Sequence, residues 1–311
     1  MSDVPLVSVG IPTFNRLATL RRAVASVLQQ DYRGIELIIS DNASTDGTQS
    51  YCEGIAAINP HIRYLRHEHN RGAVANFRAA LANAHGEYFM WLGDDDWIDS
   101  NYIHDCVAVL ENEPDCSLAG GRGRFVNAGV VVAEAPPLIL LQDSGADRVL
   151  DYYSNVTHNN VFYGLMRRRQ LNAARFTNVI GGDWLIVAAM ALSGKVFGVD
   201  AIVNRSGSGM SSNRESLIQG VGGSNWLFAH PKLHFISIMM SVFIDILYRN
   251  PVYHILPIHR RFLLACRAPL RISDHYGVGI SYWIGELRSR LRIRSRARVF
   301  WDRLFLKMPG R

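Results

Sequence analysis

The stretch Phe89-Met90-Trp91-Leu92-Gly93-Asp94-Asp95-Asp96-Trp97-Ile98 sets an apolar run of strand length directly against three carboxylates, then turns apolar again. Such a run without polar alternation fits a strand covered on both faces, with its acidic end delivered to the rim of a sheet. Carboxylates at a rim suit a hard divalent ion, Mg²⁺ or Mn²⁺, which commonly sits between one or two protein carboxylates and the phosphates of a nucleotide. A solvated acidic turn is the competing account, since aspartate is common in loops. The surrounding chain bears on the choice.

Val4-Pro5-Leu6-Val7-Ser8-Val9-Gly10-Ile11-Pro12-Thr13 reads as a strand broken by Pro12. Residues 16–30 place Leu20, Val24, Val27 and Leu28 at helical spacing, and residues 35–40 form a second buried strand. A helix between two apolar strands is a βαβ unit and implies a parallel sheet. A turn-rich segment over residues 41–48, a short strand at 63–65 and a helix over 74–84 then lead to the strand that ends in the aspartates. In an open parallel sheet the carboxyl ends of the strands share one crevice. Thr13, Asp41 and residues 94–96 are therefore expected to converge.

Other nucleotide-binding signatures are missing. No GxGxxG follows the first strand, and no GxxxxGK[ST] occurs. Gly120-Gly121-Arg122-Gly123 precedes no helical pattern and reads as a turn. Cys52, Cys106, Cys116 and Cys266 show no CxxC pairing and no histidine at zinc spacing, so free thiols in a reducing compartment are expected, without a structural metal. The N-terminus lacks the pattern of a signal peptide, and the longest apolar run, residues 233–248, is interrupted by Asp245. The expectation is a chain on the cytoplasmic side without a transmembrane helix.

Ile11-Pro12-Thr13-Phe14-Asn15-Arg16, the segment 41–48, Asn70-Arg71-Gly72 with Asn76, Gly86-Glu87-Tyr88 and the aspartate run follow one another in an order that resembles the motifs of family 2 glycosyltransferases. The resemblance covers the first ~100 residues, and five ordered motifs are far more specific than any one of them. It implies an α/β GT-A-type fold, a mostly parallel sheet flanked by helices, with a helical basic extension at the C-terminus. It also implies a nucleotide-sugar donor, UDP-linked by expectation, and Mg²⁺ or Mn²⁺ as cofactor. Carried over by position, Pro12, Thr13 and Asn15 line the nucleotide site and Asp41 accepts a hydrogen bond from the base. Arg71 and Asn76 lie near the nucleotide. Asp96 is the expected metal ligand, with Asp94 as a second candidate and Asp94 or Asp95 near the ribose. Relatives carry Leu-Asp-x-Asp-Asp where this chain has Gly93 at the first aspartate, which leaves the register open. The alternatives are that Asp41 merely caps a turn and that Arg71 and Asn76 are surface residues of a helix.

Past residue 125 the βα rhythm fades, and residues 157–168 read as a strand and turn. Gly181-Gly182-Asp183 opens an apolar helical run, where a carboxylate is stabilised by the helix dipole and free amides. Such a residue serves as a cap; the resemblance instead implies the catalytic base, with Gly182 standing where relatives have an acidic partner. Residues 195–199 suggest a returning strand, and the Gly/Ser-rich composition of 204–212 suggests a mobile segment; it is either a connector or, as the resemblance implies, the loop that closes over the donor, with Arg205 meeting the diphosphate.

Residues 259–311 carry 13 Arg and Lys against three carboxylates, a net +10, so the other 258 residues hold −4 of the total +6. Arginine occupies every second position over 288–298, and residues 299–307 resemble an amphipathic helix. An anionic membrane attracts such a tail. Nucleic acid is the rival for arginine runs and is not expected here, because related enzymes often act on lipid-linked acceptors. The expected division is 1–125 for the nucleotide sugar, 126–225 for the acceptor side with base and loop, and 226–311 for the extension. The reading is inverting transfer to an acceptor hydroxyl in cell-surface polysaccharide or glycolipid synthesis, peripheral to the membrane. Its rivals are a catalytically silent carbohydrate- or membrane-binding scaffold and a sugar nucleotidyltransferase, which normally carries a basic Gly-rich loop where this chain has Pro12-Thr13-Phe14-Asn15.

Overall fold

A computed structural model describes residues 4–207 and 233–278. Strands β1 (Val7–Thr13), β2 (Ile35–Asp41), β3 (Ile62–Arg66) and β4 (Tyr88–Trp91) pair in parallel in the order β3-β2-β1-β4. Helices α1 (Leu17–Leu28), α2 (Thr48–Ile58) and α3 (Ala73–Ala82) connect them. After β5 (Trp97–Ile98) and α4 (Tyr102–Asn112), the sheet continues through β8 (Leu165–Arg167), β6 (Cys116–Asn127) and β9 (Lys195–Ser206), with β5 at the edge. A hairpin strand, β7 (Val130–Ala135), pairs with β6. β8 runs antiparallel to both neighbours, but most of the paired residues are in parallel register.

Strand periodicity sorts the core into two halves. Val7, Val9, Ile11, Leu37 and Ile39 face a cluster built with α1, α2 and α4. Ile38, Phe89 and Trp91 face the other way, into a cluster with α3, α5 (Gly145–Asn155) and α7 (Gly182–Ser193). Two further helices, α8 (Leu233–Ile244) and α9 (Ile258–His275), extend this second cluster, and α6 (Arg168–Ala173) follows β8. Trp91 is fully buried there, stacked on Phe162 at 5.1 Å and donating its ring N–H to Phe77 O at 3.0 Å.

Several expectations need correction. Pro12 does not break β1, which continues to Thr13. The β1–β4 ladder ends at Gly10, so the amide hydrogen that Pro12 lacks falls where no paired strand remains on that side. Residues 120–123 are no turn but the middle of β6, where glycine is needed for close approach: a Cβ on Gly121 would meet Ala201 O at 2.1 Å. The returning strand runs to Ser206, so Asn204 and Arg205 are ladder residues of β9 and not part of a loop. Residues 157–168 hold a 3₁₀ turn, Asn160–Tyr163, before β8. Residues 208–212 and the tail over 286–311 lie outside the described residues. Among the described residues no helix is long and apolar enough to cross a membrane.

Candidate functional site

The carboxyl ends of β1, β2 and β4 meet as parallel topology requires, and interlocking side chains hold them there. Asn76 on α3 is buried, accepts from the Ser40 hydroxyl at 2.6 Å and donates to Thr13 O at 3.2 Å. It is therefore a clamp between two strand ends and not a surface residue. Asn15, with a positive φ of 54°, accepts from the Thr45 N–H at 2.7 Å, while its own N–H donates to Ser44 Oγ. Asp46 accepts from the Leu17 N–H at 2.9 Å, fixing the start of α1.

Asp41 reaches this rim with no side-chain surface exposed. It accepts from the Tyr64 hydroxyl at 2.6 Å and the Ser44 N–H at 2.9 Å, with Arg66 Nε 3.7 Å away. Here it organises the turn after β2, while α2 takes Gly47 as its N-cap. Arg71 is exposed, and its N–H donates to Asn42 Oδ1 at 2.8 Å. Pro12 is buried within β1.

All three aspartates after β4 are buried. Thr13 donates its hydroxyl to Asp94 at 2.9 Å, and Arg16 bridges Asp95 at 2.9 Å and Asp94 at 3.5 Å. Asp96 accepts from the Ser206 N–H at 2.8 Å and ion-pairs with Arg205 Nε at 2.9 Å, although that N–H is not aligned on the oxygen. Its carboxylate folds back onto Gly93, where a Cβ would meet Asp96 Oδ2 at 2.7 Å. Glycine at 93 thus leaves room for the Asp96 carboxylate. Burial, with Asp95 as a like charge, pushes Asp94 up to about 7 against the pull of Arg16. Asp96 is pushed up to about 6 by burial and Asp95, opposed by Arg205. Both carboxylates thus sit where burial disfavours their charged form unless a cation stands close.

Asp183 comes from the second half of the chain, on α7. Gly181 occupies the N-cap of α7, leaving Asp183 half-buried in the first turn. Burial raises its pKa above the usual carboxylate value, against a hydrogen bond from Asn159 and the first-turn amides. Its charge also acts on Arg205, along with those of Tyr163, Asp96 and Asp95. Burial disfavours the Arg205 cation, yet these neighbours hold its pKa above the ordinary value, and its guanidinium lies 4.3 Å from the Tyr163 ring centre. Arg205 therefore links the aspartate rim to Asp183.

Two site residues were not evident in the sequence. Asn159 donates its amide to Asp183 Oδ2 at 2.7 Å and accepts from the Tyr152 hydroxyl at 2.7 Å. The Tyr152 bond fixes which end of the amide faces Asp183. The available signal was Asn159 itself, since asparagine tolerates the left-handed conformation that it adopts here, φ 43°.

The buried oxygens of Asp94 and Asp96 are of the kind that a hard divalent cation takes, and among the described residues no three metal-ligating side chains converge.

The family model described as glycosyl transferase family 2 matches residues 8–173, more than half of the sequence. The chain belongs to this family. Family 2 relatives include a putative colanic acid biosynthesis glycosyl transferase, WcaA, of Escherichia coli, 33% identical over 162 residues that cover 52% of this chain and 58% of that protein. A GalNAc(5)-diNAcBac-PP-undecaprenol beta-1,3-glucosyltransferase of Campylobacter jejuni is 36% identical over 94 residues, 30% of each chain. The chain thus spans less than two thirds of the length of these relatives. The GT-A-type fold of the family is shared with S. aureus TarS 1-349 in complex with UDP-GlcNAc, at TM-score 0.60, 17% identity, and coverage of 86% of this chain and 73% of that one. It is also shared with the mannosyltransferase PcManGT of Pyrobaculum calidifontis in complex with GDP-Man and Mn²⁺, at TM-score 0.53, 16% identity and coverage of 99% and 89%.

Proposed function

We propose that this family 2 glycosyltransferase moves a sugar, with inversion, from a UDP-linked donor to a hydroxyl of a glycan or lipid-linked acceptor in cell-surface polysaccharide or glycolipid synthesis. The observation that carries the reading is the charge link through Arg205 between the aspartates after β4 and Asp183 on α7, two acidic groups 87 or more residues apart in the chain. The names of the undecaprenol-linked glucosyltransferase and the colanic acid enzyme support the acceptor class. The neighbours bound to UDP-GlcNAc and to GDP-Man with Mn²⁺ support a nucleotide sugar and a divalent ion.

In this reading residues 1–125 hold the donor, 126–225 supply the acceptor side and the base, and 226–311 form the extension. Thr13, Asn15, Arg71 and Asn76 shape the nucleotide pocket around the turn that Asp41 organises. Asp94 or Asp95 meets the ribose, and Asp96 with Asp94 would hold Mg²⁺ or Mn²⁺, whose positive charge favours departure of the diphosphate. Asp183 accepts the proton of the acceptor hydroxyl. The freed oxygen bonds to the anomeric carbon from the face opposite the diphosphate, and the carbon–oxygen bond to the diphosphate breaks with its electrons on the leaving oxygen. Arg16 and Arg205 would meet the charge that develops on the leaving group, from positions beside the buried aspartates where fixed charges act strongly.

Asp183→Asn is the test. Nucleotide-sugar binding, read as a thermal shift, stays near that of the parent, while transfer falls by at least ~10²-fold, the lower end of what a positioned base contributes. Transfer within a few-fold of the parent would remove Asp183 from the role.

A further inference from the structure

Helix α9 shows an outward face that the proposed chemistry leaves unused. Its buried side, Leu264, Ala265, Ala268 and Ile272, packs into the core beside α5 and α8. At 100° per residue, Phe262, Leu263 and Leu270 fall within about 100° of arc on the side opposite the buried one, with Ile258 at the edge of that arc next to Ala265. All four are more than half exposed. Arg260, Arg267 and Arg271, spaced by seven and four, form the adjoining row and are exposed as well. Asp274 is the one exposed carboxylate on the helix. An apolar stripe bordered by a line of arginines satisfies neither a purely solvated surface nor an ordinary helix–helix contact.

We infer that the outward face of α9 docks on an anionic lipid bilayer, with Phe262, Leu263 and Leu270 entering the acyl boundary and the arginine row meeting lipid phosphates. Charge complementarity selects this occupant. A helix that lies in the interface buries its apolar side just below the headgroups, and basic side chains next to it extend to the phosphates while their methylene stems stay covered. Arginine suits this role because its planar fork binds phosphate through two hydrogen bonds. A second copy of the chain does not fit as well, since the same face on another chain offers the three arginines one exposed carboxylate, Asp274, and no row of anions. The surface is separate in sequence from the basic tail over 286–311.

The helix also connects to the candidate site. Tyr276, just past its end, stacks on Trp184 at 5.9 Å and donates its hydroxyl to Val156 O at 2.7 Å. Trp184 is the neighbour of Asp183. The end of α9 therefore packs next to the segment that carries the proposed base; only this last link rests on the proposed function.

The test is co-sedimentation of the full chain with phosphatidylglycerol–phosphatidylcholine vesicles and with phosphatidylcholine alone, without donor, so that the result is independent of turnover. The parent is expected to partition onto the anionic vesicles and to release as salt is raised. Combined Arg260→Gln, Arg267→Gln and Arg271→Gln should weaken partitioning by roughly fivefold per arginine, and combined Phe262→Ser and Leu270→Ser should do so by at least tenfold. Both variants should melt close to the parent, because the changed side chains are exposed. Parent-level partitioning by either folded variant would assign membrane attachment to another segment and overturn the inference, as would a parent that ignores anionic vesicles. Light scattering that showed a parent dimer abolished by Leu263→Ser would overturn it in favour of a second copy.

Discussion

Asn159 receives a hydroxyl hydrogen bond from Tyr152 and passes an amide hydrogen bond to Asp183. That amide favours the ionised carboxylate, so Asn159→Ala should raise the Asp183 pKa further and move the acid limb of the pH–rate profile to higher pH. Tyr152→Phe should move it in the same direction by less, since it removes the lock on the amide and not the donor. An unchanged acid limb in Asn159→Ala would separate Asn159 from the base. At Gly93, an alanine Cβ would meet the Asp96 carboxylate at 2.7 Å. Gly93→Ala should therefore displace Asp96 and weaken metal-dependent donor binding by about tenfold or more in calorimetry, with a melting temperature near the parent's. The place of the three aspartates at the rim of the sheet was legible in the apolar run that ends in them, whereas Asp183 was singled out by the family resemblance. Asn159 and Tyr152 were not, because their link to Asp183 crosses the gap between α5 and α7 and leaves no periodic trace.

The first four strands follow from apolar runs separated by helical spacing, and β1, β2 and β4 are buried as such runs require. The second half resisted the same approach because β6 carries three glycines and an arginine in its middle. Composition of that kind signals a turn until the partner strand is known. The partner is β9, which approaches so closely that Gly121 cannot carry a side chain and its N–H donates to the Tyr102 hydroxyl at 3.0 Å instead of a ladder carbonyl. Tyr102→Phe would leave that N–H buried and unpaired, at a cost of about 1–3 kcal/mol of stability in denaturant unfolding. An unfolding midpoint equal to the parent's would show that another group takes over the bond. The same crowding explains why Arg205 was assigned to a mobile loop: its Gly/Ser-rich surroundings begin only after the last residues of β9.

Across the whole molecule, buried carboxylates set how stability responds to pH. Asp245 has no exposed surface, and burial pushes its carboxyl up to about 6 against a hydrogen bond from Asn250. Its folded pKa lies above the unfolded value, so its contribution is fully present below about pH 4 and is lost as pH rises through about 6. Asp94 and Asp96 carry the same sign. The ligand-free protein should melt at a higher temperature at pH 5 than at pH 8. Asp245→Asn should recover on the order of 2 kcal/mol of the difference while changing little at pH 4. A melting profile that rises from pH 5 to pH 8 would contradict this. The ion pair of Arg205 with Asp96 bears on the opposite event, the emptying of the cleft. A site built from carboxylates alone would be left with bare, repelling charge each time its cargo departed. In the proposed role the Arg205 guanidinium would serve as a resident counter-ion, so that incoming ligands would exchange with an internal partner and spent ones would depart without leaving the acids unaccompanied.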